Sequence, residues 1–156
     1  AQLDAYIPVL NFLEDSISEI QDFKNKTGVT SFVMNEAYFN KVTELYEILV
    51  SVELGFISKQ TKLSDFTKIF LGLTPYEINS PVVWMKRQSD LIRLFLSLQN
   101  RNYISSPKNF SKTLDLCFDD AISGKKFSYD FNKAIEKAGV RDSRNQKNID
   151  KVLAIF

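Results

Sequence analysis

Apolar residues recur every three or four positions through most of this chain, the spacing of amphipathic helices. Leu3, Ile7, Leu10, Leu13, Ile17 and Ile20 fall on one face. Pro8 is compatible only with a first turn, so a helix is predicted from near Ala5. It ends at Gly28, after Lys24 and Lys26, which suit a helix C-terminus. A second helix is predicted from about Ser31 to Ile57, striped by Phe39, Val42, Leu45, Tyr46, Leu49, Val52 and Phe56. Joined by a short turn, the two make an antiparallel hairpin. A shorter helix, Lys62 to Leu71, stops at Gly72.

Residues 72–83 hold Gly72, Pro75 and Pro81 and break the helical pattern, and Val82-Val83-Trp84 is a short β-like run. A strong helix is predicted from Lys86 to Asn100, with Leu91, Ile92, Leu94, Phe95 and Leu98 apolar. Ser106-Pro107 reads as the start of another, over 107–119, carrying Phe110, Leu114, Cys117 and Phe118. Ser128 opens a helix over 128–138 that stops at Gly139. Asp142 or Ser143 caps a last one, with Ile149, Val152, Leu153 and Phe156 inward. The expected fold is all-α and in two parts. Residues 1–72 form a long helical hairpin plus a short helix, a candidate homodimerisation or contact element. Residues 82–156 form a basic multi-helix domain of helix-turn-helix or winged-helix-like form.

The bulk composition fits a soluble globular protein. Of 156 residues, 44% are hydrophobic and 25% charged, and thirteen phenylalanines point to a real core. No apolar stretch approaches the roughly 20 residues that span a bilayer, so no membrane partner is expected. No basic-then-apolar signal segment stands at the start. The single Cys117 has no internal disulfide partner, lies in an apolar setting as a buried, inert thiol, and fits a cytoplasmic location. With no histidine, a Cys/His zinc site within one chain and a Ser-His or Cys-His nucleophile are both excluded. Glu14-Asp15 and Asp119-Asp120 lack the glycine and spaced acceptors of a calcium loop and read as surface or helix-end acids. There is no glycine-rich phosphate loop. No catalytic, metal or cofactor residue is therefore assigned, and a non-enzymatic role is expected. Trp84, between a β-like run and a strong helix, reads as an anchor to the core.

Charge adds the one asymmetry. Residues 1–80 hold 11 acidic and 6 basic side chains; residues 81–156 hold 8 acidic and 14 basic, including all five arginines. In a three-helix DNA reader the last helix enters the major groove. Its first turn here presents Ser128, Tyr129, Asn132 and Lys133, and asparagine pairs bidentately with adenine. Lys125 and Lys126 precede it as phosphate clamps. On a helix, Arg141, Arg144 and Lys147 share a face, and the guanidinium fork suits phosphate. Double-stranded DNA is the candidate partner. The alternative is a helical protein-interaction or scaffolding module, because Asp115, Asp119, Asp120 and Asp130 interleave with the basic residues.

Phe66-Thr67-Lys68-Ile69-Phe70-Leu71-Gly72, a proline-containing loop, Trp84, then Ser89-Asp90-Leu91-Ile92-Arg93-Leu94-Phe95-Leu96-Ser97-Leu98 and Ile104 come in a familiar order. Over roughly residues 60–156 the chain resembles RteC-type proteins, helical regulators tied to excision of conjugative transposons. Arg141 to Phe156, basic at its start and apolar at its finish, is similar to that family's C-terminal helix. The resemblance implies a bacterial DNA-binding transcription regulator linked to a mobile element, with Arg141 and Arg144 nearest to its contact residues.

Overall fold

Phe32 and Met34 are buried and Val33 between them is exposed, an alternation that only extended backbone produces. The computed structural model of the protein describes residues 29–106, 109–124 and 145–156. The helices predicted over 5–28 and 128–138 lie outside them. The described elements are, in order, strand β1 (Val33–Met34), a 3-10 turn (Glu36–Lys41), helix α1 (Val42–Val50), helix α2 (Leu63–Lys68), strand β2 (Val82–Trp84) and helix α3 (Gln88–Asn100). Strand β3 (Ile104–Ser105), helix α4 (Phe110–Cys117), strand β4 (Phe118–Asp120) and helix α5 (Gln146–Leu153) follow.

The protein is therefore mixed α/β, and the all-α expectation is corrected. β1 pairs antiparallel with β3, and β2 pairs parallel with β4 in the register Val82–Phe118, Val83–Asp119 and Trp84–Asp120. The helix-turn-helix or winged-helix-like reading falls with it. The helix expected over 107–119 begins at Phe110 and ends at Cys117, where the chain turns extended and joins β2.

The long helix expected from Ser31 to Ile57 is also corrected. Its first residues are claimed by partners far along the chain. Ser31 N–H donates to the Leu73 carbonyl (2.9 Å) and Met34 N–H to the Phe70 carbonyl (3.0 Å). The Ser31 hydroxyl donates to the Lys68 carbonyl (3.0 Å) and accepts from Leu73 N–H (2.8 Å). These bonds hold 31–34 against 70–73 on one edge, with β3 on the other. Asn35 then caps the 3-10 turn through Ala37 N–H (3.1 Å). The far end breaks where Ser51 turns extended and Gly55 adopts φ +56°. Elsewhere α2 stops short of Gly72 (φ +66°) and α3 buries the apolar face read from spacing. α5 buries Ile149, Val152 and Leu153 as expected, but its cap is Asn145 rather than Asp142 or Ser143, and Phe156 is only half-buried.

The core takes side chains from both sides of the 72–81 stretch. Among the described residues, six phenylalanines (Phe32, Phe56, Phe66, Phe70, Phe95 and Phe118) are fully buried. Phe95 on α3 is the hub, with ring centroids 5.1 Å from Phe32, 5.1 Å from Phe118 and 6.2 Å from Phe70. Trp84 stacks on Phe56 at 5.2 Å, meets Phe118 edge-on at 6.0 Å and donates its indole N–H to the Arg87 carbonyl (2.9 Å). An anchoring role for Trp84 follows from that packing. Cys117 is buried among them. Each of these aromatics is worth about 3–5 kcal/mol on truncation to alanine.

Candidate functional site

Eight of the nine candidate contact residues (Lys125, Lys126, Ser128, Tyr129, Asn132, Lys133, Arg141 and Arg144) lie outside the described residues. Lys147 lies within them, exposed on the first turn of α5. Its helix begins at Gln146, and Asn145 before it has φ −99° and ψ 22°.

Both attachments of the basic stretch to the body are visible. At one, β4 runs into a tight turn: the Asp120 carboxylate accepts from Ile122 N–H (3.0 Å) and the Asp120 carbonyl from Gly124 N–H (2.9 Å). Gly124 has φ +71°, suited to glycine. Asp119-Asp120, expected to be solvated acids, are strand residues, and Asp120 is buried because its carboxylate closes that turn. At the other attachment, Asn145 donates from its side-chain amide to Asp90 (2.8 Å). Asp90 is 1% exposed in the first turn of α3. Behind Asn145, α5 seats Ile149, Val152 and Leu153 in the core and pairs Lys151 with Glu53 (3.1 Å). Sequence reasoning passed over Asp90, although the helical step 90, 94, 98 places it on the buried face of α3.

Charge divides sharply at these attachments. The described residues carry 11 basic and 11 acidic side chains; residues 125–144 carry six basic and three acidic. Among the described residues no cluster of three metal-ligating side chains occurs, and no helix is long and apolar enough to cross a membrane.

A second polar feature was not foreseen. The loop before α2 and the end of the 72–81 stretch enclose an open pocket of about 220 Å³, lined by Ser58, Gln60, Thr61, Asp65, Ser80, Pro81 and Val83. Its residues come from segments 15 or more positions apart, so neighbouring sequence gave no signal. Comparison with protein-family models, with curated proteins and with solved structures finds no match to this chain.

Proposed function

We propose that the protein is a non-enzymatic, double-stranded-DNA-binding regulator that acts in the bacterial cytoplasm and contacts phosphate through the basic stretch between Lys125 and Lys147. The partition of charge carries this reading. The described residues are neutral in sum, and half of the cationic surplus of residues 81–156, +3 of +6, falls in 125–144, between two hydrogen-bonded attachments. Two of the five arginines are there, and arginine's planar fork matches phosphate oxygens. Anchoring both ends lowers the entropy lost when such a stretch engages a ligand. The resemblance to RteC-type regulators agrees with the assignment and links it to a mobile element.

The test is retention on a duplex-DNA or heparin column across a salt gradient. The Arg141→Glu/Arg144→Glu double variant elutes at clearly lower salt than the parent, with the same urea midpoint. Equal elution of the two removes the phosphate role. The neutrality of the described body favours a second reading, a protein-interaction module, which predicts no salt-sensitive retention of either chain.

A further inference from the structure

The open pocket beside α2 is lined by both polar and apolar groups and by one charged residue. Three backbone or side-chain bonds fix its wall: Ser58 N–H to the Val83 carbonyl (3.1 Å), Thr61 N–H to the Ser58 carbonyl (3.1 Å) and Gln60 N–H to the Ser58 hydroxyl (3.2 Å). The Tyr46 hydroxyl donates to the Thr61 carbonyl and ties the same loop to α1. Asp65, half-buried, is the one charged group in the lining. Among the described residues no cation pairs with it, although Lys59 and Lys62 precede it and Lys68 follows it; Lys68 instead donates to Asn79 Oδ1 (3.5 Å). Beside it are the hydroxyls of Ser58, Thr61 and Ser80 and the apolar edge of Pro81.

We infer that this pocket binds a primary alkylammonium group, with Asp65 as the counter-ion. An anion is repelled by the lone carboxylate. A divalent metal needs more charge than one carboxylate supplies. An apolar group wastes the hydroxyls, which then lose water without a partner. An ammonium head offers three donors, matched by the Asp65 carboxylate and the surrounding hydroxyl oxygens, while a short methylene stem lies along Pro81. A volume of about 220 Å³ corresponds to roughly seven waters, enough for one lysine-sized side chain. The chemistry is shared by a lysine side chain of a polypeptide and by a free diamine. The inference stands independently of DNA binding.

A half-exposed ion pair with a few hydrogen bonds gives weak affinity, a dissociation constant of about 1–10 mM. Backbone amide shifts of the full chain are to be followed while Nα-acetyl-lysine N-methylamide, putrescine or the uncharged Nα-acetyl-norleucine N-methylamide is added. The ammonium probes are expected to produce saturable shifts at Ser58, Gln60, Thr61 and Ser80, and the norleucine probe none. Asp65→Asn weakens binding about three- to fivefold. Ser80→Ala, remote from α2 in sequence, weakens it two- to threefold and guards against a folding defect in the first variant. Saturation by both ammonium probes supports a site that reads the charged head alone. Saturation by the lysine derivative only supports one that reads a chain-borne lysine. Absence of saturable shifts, equal response to norleucine, or unchanged affinity in Asp65→Asn overturns the inference.

Discussion

Gly72 occupies a point where the backbone disfavours any side chain and the packing is tight. Its φ of +66° lies in the left-handed region, and a Cβ there would stand 3.0 Å from Val33 Cγ2. Its N–H donates to the Phe32 carbonyl (2.8 Å), tying the end of the α2 turn to the chain beside β1. Gly72→Ala is expected to cost about 1–2 kcal/mol, the penalty of an L-residue in that region, because the exposed Val33 can yield to the new methyl. A urea titration showing a lower midpoint with unchanged slope checks it. The Asp90–Asn145 bond belongs to the same scale. A hydrogen bond to a buried carboxylate contributes about 1.5–3 kcal/mol, and Asn145→Ala should lose that amount in the same titration.

At the scale of elements, the sequence was legible where local pattern and tertiary environment agree. α3 buries Leu91, Leu94, Phe95 and Leu98 as spaced, and Val82-Val83-Trp84 is a strand. It misled where distant partners decide. Residues 31–34 are extended because Leu73, Phe70 and β3 supply their hydrogen bonds, and none of those lies near in sequence. Phe118 leaves its helix without a glycine or proline to announce it, because β2 offers a ladder and Trp84 and Phe95 offer a place for its ring. Ser106 looked like a cap, yet its hydroxyl bonds Gln99 (2.8 Å), and Asn109 caps α4 through Lys112 N–H (3.0 Å). Asn109→Ala should therefore cost about 0.5–2 kcal/mol in thermal or urea unfolding. Ser106→Ala, which leaves that cap intact, should cost less.

At the scale of the whole molecule, the described residues sum to neutrality while residues 125–144 carry a basic surplus, and only the second of these was visible beforehand. Counting charges by halves found the surplus. It could not find that the lysines and arginines of the described part are balanced one for one by acids. The pocket around Asp65 stayed hidden for a related reason: Ser58, Asp65 and Ser80 meet only after β2 pairs and α2 folds. If about four phosphates are neutralised on duplex DNA, the logarithm of affinity should fall with the logarithm of salt at a slope of about −3.6. Binding measured by fluorescence anisotropy from low to moderate salt gives that slope directly. Replacing Arg141 and Arg144 should flatten it by about 1.8.

The chain has a single tryptophan, and it sits at the meeting point of the parallel strand pair and the aromatic core. Its emission should thus be blue-shifted in the native state and move to the red as the interior opens to water. Residues 82 and 118 come together only once everything between them has condensed, so intrinsic fluorescence and far-ultraviolet dichroism should trace coincident transitions. Nature has in effect supplied a built-in optical probe of cooperative unfolding, and every variant that keeps Trp84 can be followed with it unlabelled.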